Sequence, residues 1–547
     1  MNTRTTIRRK IATTALLPAR PQKLNRADDG NLVAFANGLS QQHEADTDAH
    51  SRRHIGQVFT PPTVCHFMAE CLGAIGHSYK LLDAGAGTGS LTAAVCDRII
   101  GGGEPIELTA VLFETDATVL PFLQRAMEEC RRRMQRAGHG FDFDIREDDF
   151  VLARPQLSLF ENGDSPAFDG VVMNPPYFKI AKDSKHARIM ADIVHGQPNI
   201  YALFMAVGAQ MLRPGGKFVA ITPRSYCNGL YFREFRRWYL SRMDLDQLHL
   251  FESRTSTFSE SAVLQESLIT VASRRNGGRA GSSNIAVTKS TGRDLVGICK
   301  RQYPEDVIVD DSGGDLTIRI PTDAIDAEVV QVVKTWPAKF SAGGLRISTG
   351  PVVSFRAREY LLSDTIEPDA IPLLSIHNVR LFETVWPLER GDKPIAFRAC
   401  PETRSQILPS RNYVLLRRFS AKEETRRLVA SCYFPTAADR RRSVALENHI
   451  NYVYLAEREL TQTEAVGVAS LLNSTLLDRY FRVLSGNTQV NATEIRAMPF
   501  PGLETLARIG NRVQKLGAFP RYEIDQIVLD ELGINGSISR ELLGVKL

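Results

Sequence analysis

The segment Leu81-Leu-Asp-Ala-Gly-Ala-Gly-Thr-Gly89 constrains the fold more than any other part of this chain. A short apolar run meets a glycine-rich turn, and a helical pattern begins directly after it. Such a turn lets backbone N–H groups approach a ligand closely at the start of a helix. Nicotinamide and flavin enzymes use similar turns, so the turn alone does not name the ligand.

The surrounding pattern sets the fold class. Apolar runs at Lys80–Asp83, Leu108–Phe113, Asp142–Ile145, Gly170–Met173, Lys217–Thr222 and Leu268–Ala272 predict strands. Helical patterns fill 90–100, 117–136, 199–212 and 230–241. This alternation predicts an α/β, Rossmann-like domain with a mostly parallel sheet covered on both faces. Ligands of such sheets sit beyond the carboxyl ends of the strands.

Acids stand at three successive strand ends. Asp83 precedes the glycines Gly85 and Gly87, where it could accept from the amino group of an amino-acid-like ligand. Glu114, in Phe-Glu-Thr-Asp116, could accept from both hydroxyls of a ribose, with Asp116 reading as a helix N-cap. Asp149 and Phe150 offer a carboxylate for an exocyclic amine and an aromatic face for a purine ring. Together these suit S-adenosyl-L-methionine, and no metal is expected.

After the fourth strand comes Asn174-Pro175-Pro176-Tyr177. Two prolines stiffen the turn, so the Pro175 carbonyl and the Asn174 side-chain oxygen can face one cleft. Two acceptors there could hold both hydrogens of a planar amine, localise its lone pair and aim it at a methyl donor. Tyr177 could stack on the ring that carries the amine.

A chain of 547 residues predicts more than one domain. The polar, Gly-rich stretch Ser273–Asn284 reads as a linker, which gives a catalytic domain at 46–275, a linker at 276–285 and a second domain at 286–547. The first acid is Asp28, and 1–45 reads as a disordered basic tail, though a transit peptide would look similar. Eight cysteines without a Cys-x-x-Cys pair read as reduced thiols of a cytoplasmic protein. No apolar stretch approaches the roughly 18 residues of a membrane span. A net charge of +5 is compatible with nucleic-acid binding but does not require it.

The order of these motifs resembles the gamma class of N6-adenine methyltransferases of type II restriction–modification systems, the TaqI-methylase-like enzymes. The resemblance begins at Gly56-Gln-Val-Phe-Thr-Pro-Pro-Thr-Val-Cys-His-Phe-Met68 and covers about 50–275. It implies that Thr60 and Pro61 contact the methionine part of the cofactor. It implies further that Asn174, Pro175 and Tyr177 form the catalytic loop. A second aromatic wall for a flipped-out base would be Phe258, with Tyr226 and Tyr231 as competitors. The glycine turn is richer in glycine than that of the TaqI-like enzymes and agrees with the wider methyltransferase superfamily. More weakly, Ser348–Tyr360, Arg417–Glu423 and Ser485–Asn491 are similar to the recognition half of longer relatives.

The expected partner is double-stranded DNA, gripped by Arg346, Arg356, Arg358, Arg417, Arg418, Lys422, Arg426, Arg427 and Arg440–Arg442. The stretch 447–501 reads either as a helix docking the second domain on the first or as plain core. The resemblance implies that the chain protects host DNA from a separate endonuclease. Monomeric action is expected, and the lack of a convincing Asp…Glu-x-Lys cluster together with the length predicts no cleavage activity. Methylation of RNA or of a protein glutamine is the alternative, and an inactive specificity protein is a rival of another class.

Overall fold

The computed structural model describes residues 30–46, 60–153, 168–194, 196, 198–251, 266–277, 284–292, 294–311, 315–388, 393–420, 424–436 and 443–544. Phe258, Lys422, Arg440–Arg442, the basic segment 1–29 and the first part of the Thr-Pro-Pro segment lie outside the described residues.

Nine strands form one sheet: β1 (Ser78–Ala84), β2 (Glu107–Phe113), β3 (Gly140–Arg146), β4 (Phe168–Met173), β5 (Leu212–Pro223), β6 (Met243–Phe251), β7 (Ser267–Arg274), β8 (Asn284–Thr291) and β9 (Val296–Pro304). Their order is β3-β2-β1-β4-β5-β7-β6-β8-β9. The pairings from β3 through β5 are parallel, and β7 runs antiparallel between β5 and β6. Strand order reverses between β1 and β4, which opens a crevice at their carboxyl ends. Leu81, Leu82, Asp83 and Ala84 are all buried, as a strand covered on both faces requires. Each fully buried leucine there contributes about 1.5–3 kcal/mol of hydrophobic stabilisation.

Two boundaries differ from the sequence reading. The sheet does not stop at 275: β8 pairs in parallel with β6, and β9 closes the edge against β8. The Gly-rich stretch is therefore a connection within the sheet, with 278–283 outside the described residues. The expected tail is also ordered in part. Leu32–Asp46 forms a helix whose Leu32, Val33, Ala36 and Leu39 are buried. Its first N–H groups, on Leu32 and Val33, donate to the Asp97 carboxylate at 2.9 and 3.0 Å. Asn31 caps the next N–H, with its Oδ1 accepting from Ala34 at 2.7 Å, so Asp97 of the neighbouring helix Ser90–Ile100 adds to a cap that the helix carries in its own sequence.

The second half holds two five-stranded sheets. One joins Leu345–Thr349, Ile450–Leu455, Tyr413–Arg417, Ala430–Tyr433 and Phe382–Glu383. The other joins Leu361–Leu362, Ala396–Arg398, Ala370–Leu374, Ser443–Leu446 and Ile407–Pro409. The amphipathic stretch forms two helices, Gln462–Asn473 and Thr475–Leu484, split at Ser474, whose side chain accepts from Leu477 N–H. Their buried faces join a core cluster that also contains Val171, Met173 and Phe218 of the first sheet. Both readings of 447–501 hold in part, since these helices are core and also join the halves.

That junction has a charged centre. Arg224, at the end of β5, pairs with Glu266 at 2.9 Å, both side chains almost wholly buried. The same guanidinium donates to the carbonyls of Arg482 and Val483 at the end of the helix Thr475–Leu484. Gly486 lies against this pair more closely than a Cβ would permit. Glu494 then gathers Ser485, Asn487 and the Asn491 N–H, and accepts from Asn228 of the first half at 2.9 Å.

Candidate active site

A cavity lies at the β1/β4 crevice, lined by Thr60, Gly85–Thr88, Phe113, Glu114, Asp148, Asp149, Phe150, Asn174, Pro176, Phe178, His186, Ile200 and Phe204 among others. The glycine turn forms its floor. Gly85 has φ +77°, and its N–H donates to the Phe113 carbonyl at 3.0 Å. A Cβ on Gly85 would stand 3.6 Å from the Asn174 carbonyl, so this turn and the Asn-Pro-Pro-Tyr loop lie against each other. Gly89 serves packing instead: with φ +83°, it would drive a Cβ to 2.5 Å from Met127 Cε.

Glu114 stands where the sequence places it. Its two oxygens accept from Gly87 N–H and Asp116 N–H, each at 2.9 Å. Burial pushes its carboxyl above the ordinary value while those N–H bonds pull it back. Each oxygen keeps a lone pair for a further donor. Asp116 accepts from Thr118 N–H at 2.9 Å in the turn ahead of the helix Leu120–Arg136. The helix N-cap is Val119 and has no side-chain cap, so Asp116 does not cap the helix as the sequence suggested.

Asp149 and Phe150 reach the cavity together. Phe150 is fixed between Phe113 and Phe204, with ring centroids 5.0 and 5.3 Å away. The Asp149 carboxylate is already engaged: Oδ1 accepts from Val151 and Leu152 N–H, and Oδ2 meets His186 Nε2 at 2.8 Å. Nothing in the sequence pattern marks His186, which follows the catalytic loop by a few positions.

Asp83 is not in the wall. It is fully buried behind the turn, with Oδ2 accepting from Thr92 Oγ1 at 2.7 Å and Oδ1 left without a partner. Burial pushes its carboxyl up to about 7. Thr60 lines the cavity, whereas Pro61 sits outside the wall as the residue preceding the helix Pro62–Cys71.

The catalytic-loop residues are held from several sides. Asn174 Nδ2 donates to Thr60 Oγ1 at 3.0 Å, which joins the Thr-Pro-Pro segment to the loop. The Tyr177 hydroxyl lies 2.6 Å from Asn174 Oδ1 and 2.9 Å from the Ile221 carbonyl. Tyr177 is half-buried and does not line the cavity, and neither does the buried Pro175. The loop aromatic that does line it is Phe178, directly after the tetrapeptide, which sequence reasoning passed over. Of the competitors for the second aromatic wall, Tyr226 is excluded: it is wholly buried, with its hydroxyl 2.6 Å from Thr270 Oγ1. Tyr231 is exposed.

The donor set fits a cationic ligand. Among the described residues, Glu114, Asp148 and Asp149 line the cavity, and no lysine or arginine does. A pyrophosphate-bearing dinucleotide would be repelled there, whereas a sulfonium with an ammonium group is attracted. Buried Phe150 and its aromatic neighbours suit a purine. Among the described residues, no group of three His, Cys, Asp or Glu is placed to hold a metal ion.

The basic residues of the second half divide. Arg346, Arg356 and Arg358 are exposed. Arg417 and Arg418 are half-buried and donate to the carbonyls of Val379 and Asn448 at 2.8 and 3.0 Å. Arg426 is half-buried. Arg427 is fully buried, with its guanidinium on the carbonyls of Ser485 and Asn487 and over the Phe481 ring. It is a structural tie and cannot grip a phosphate, which corrects the sequence expectation. No helix among the described residues is long and apolar enough to cross a membrane.

Known proteins are similar to this chain in sequence. Residues 119–258 match the family model of the Eco57I restriction-modification methylase. The type II methyltransferase M.PstI of Providencia stuartii is 34% identical over 503 residues, covering 92% of this chain and 97% of that protein. M.BsuBI of Bacillus subtilis, also a type II methyltransferase, is 32% identical over 89% of this chain and 95% of its own length. Among solved structures, the type IIG restriction endonuclease BpuSI superposes with a TM-score of 0.44 at 13% identity, over 94% of this chain and 68% of that one. With full-length relatives above 30% identity, the chain belongs to the type II methyltransferases of restriction–modification systems, and its cofactor is S-adenosylmethionine.

Proposed function

We propose that this enzyme methylates the exocyclic N6 of an adenine in duplex DNA. One observation carries the reading. Asn174 bridges the two halves of the reaction: its Nδ2 is held by Thr60 of the cavity wall, and its Oδ1 stays within a loop whose Tyr177 proton has a second acceptor.

S-adenosylmethionine supplies an electrophilic methyl group when bound. Gly85 and Gly87 allow close approach of the backbone, and Glu114 accepts from the ribose hydroxyls with its remaining lone pairs. Asp149 and Phe150 would hold the cofactor's adenine, and Thr60 its methionine end.

The substrate amine needs two acceptors, and Asn174 Oδ1 with the Pro175 carbonyl supplies them. Tyr177 has one hydroxyl proton and two acceptors in reach, Asn174 Oδ1 and the Ile221 carbonyl. Giving that proton to Ile221 turns the Tyr177 hydroxyl hydrogen away from Asn174 Oδ1, which then faces the amine. Pro176 keeps the turn rigid while this exchange occurs. Orientation and fixed dipoles then do the catalytic work.

An adenine inside a duplex cannot reach this cavity, so it must be rotated out and held between aromatic walls. Tyr177 and Phe258 take those roles. The two five-stranded sheets of the second half form the recognition domain, with Arg346, Arg356 and Arg358 on phosphates. The enzyme acts as a monomer in the cytoplasm and protects DNA from a separate endonuclease.

The test is transfer of labelled methyl from S-adenosylmethionine to duplex DNA, RNA and protein offered in parallel. Label on duplex DNA alone is expected. Label on RNA or protein, with DNA unlabelled, overturns the proposal.

A further inference from the structure

The structure assigns a second DNA-contacting element beside the catalytic loop. We propose that Leu230 and Tyr231 form an apolar wedge that enters the base stack and drives the target base out. The inference rests on the base-extrusion reading above and adds the element that performs it.

Leu230–Phe232 is a single tight turn between β5 and the helix Arg233–Arg242. Leu230 is 55% exposed and Tyr231 52%, two large apolar side chains side by side in water. Burying such side chains is favourable, so presenting both to solvent forfeits a sizeable gain. Adjacent exposed apolar side chains at the rim of a functional cleft mark a contact surface.

The third residue of the turn points to where that surface acts. Phe232 stacks on Tyr201 with centroids 5.5 Å apart, and Tyr201 meets the catalytic Tyr177 edge-on at 6.3 Å. Tyr231 lies over Gly196, where a Cβ would stand only 2.7 Å from its ring. The chain just beyond Gly196 is hydrogen-bonded to the end of the catalytic loop: Ile180 N–H to the Pro198 carbonyl, and Ile200 N–H to the Phe178 carbonyl, both at 3.0 Å. The exposed tip is thus tied to the catalytic loop on two sides.

Its base is rigid. Arg236, 1% exposed, donates to the carbonyls of Tyr226 and Gly229 at 2.9 and 2.7 Å. Asn228 donates to Glu494 at 2.9 Å, which braces the turn against the second half. A Cβ on Gly229 would meet the Ser225 carbonyl at 2.7 Å, so only glycine permits this path. A rigid mount suits a wedge, because little conformational entropy remains to be lost when the tip is inserted. The flat faces of unstacked base pairs are the apolar partner such a tip fits. Separating one base step costs a few kcal/mol, which two inserted apolar side chains can offset.

The test compares two duplexes that carry the site methylated by the wild type. One is fully paired; the other has an abasic position opposite the target adenine, so the base is already loosened. Leu230→Ala/Tyr231→Ala should lose about tenfold or more of its turnover on the paired duplex and stay near wild type on the loosened one. Leu230→Ala alone, at a side chain that packs in no core cluster, should show a smaller loss with the same selectivity. Unchanged turnover on the paired duplex, or equal losses on both duplexes, overturns the wedge. Failure of the wild type to methylate any duplex DNA, so that no such site can be found, would instead overturn the DNA reading itself, and the wedge with it.

Discussion

The cofactor cavity and the junction between the halves are both rich in charge, yet they use it in opposite ways. Among the described residues, acids line the cavity with no lysine or arginine beside them, and Asp83 Oδ1 behind it has no partner. At the junction four acids meet arginines: Glu266 with Arg224, Asp323 and Asp326 with Arg479, and Asp478 with Arg482. One-signed charge with spare lone pairs awaits a ligand. Charge balanced within the chain holds the chain together.

Substitutions can break this contrast, beginning with the largest effect. Asn174→Ala removes an acceptor that the cavity presents outward. Turnover should fall by about a hundred- to a thousandfold or more, while S-adenosylmethionine affinity measured by calorimetry changes little. Parallel losses in both would assign Asn174 a binding role instead.

Arg224→Met removes one partner of a buried pair and leaves Glu266 charged in the interior. The expected cost is about 3–5 kcal/mol in urea unfolding. A loss below about 1 kcal/mol would show that the junction is not what ties the halves.

Exposed Arg356 tests the other side of the comparison. Arg356→Ala should leave stability within about 0.5 kcal/mol and lower the salt dependence of DNA binding by about one phosphate contact. Arg427→Ala should do the reverse, destabilising the fold because its guanidinium holds the carbonyls of Ser485 and Asn487. If both variants alter only DNA binding, the division between buried and exposed arginines is wrong.

The smallest effect concerns Asp83. Its carboxyl rises from about 3.8 to about 7 on folding, so the folded state retains a proton that the unfolded state has lost. This group therefore favours folding at pH below the lower value, and its contribution declines as pH climbs to the upper one. Asp83→Asn should flatten the ligand-free protein's thermal stability across that window. An unchanged slope would place the titration elsewhere.

The two regions also differ in how far they could be read in advance. Gly85, Glu114, Phe150 and Asn174 were legible because backbone geometry forces each to a strand end, and parallel strands send their carboxyl ends to one side. Asp83 was placed at the right strand end but on the wrong side of the turn, since a two-residue periodicity does not tell wall from core where both faces are buried. The helix Leu32–Asp46 had a signal, the spacing of Leu32, Val33, Ala36 and Leu39, which the basic composition before it obscured. Its N-cap, Asn31, was a local signal as well, whereas the added support from Asp97 comes from a distant residue that local spacing cannot supply. The fate of Arg427 was illegible for the same reason: an arginine's role depends on which carbonyls surround it in space. The turn at Leu230–Tyr231 looked like the start of a helix, because exposure depends on neighbours such as Gly196 that come from another segment.

The central claim is that the Asn174 loop presents a base amine to the methyl donor. Duplex DNA incubated with the enzyme and S-adenosylmethionine, then digested to nucleosides and resolved by mass spectrometry, tests it most directly. The account predicts N6-methyladenine as the methylated product with the wild type, and its loss with Asn174→Ala. Methylation at a ring carbon, or N6-methyladenine formed undiminished by Asn174→Ala, would contradict it.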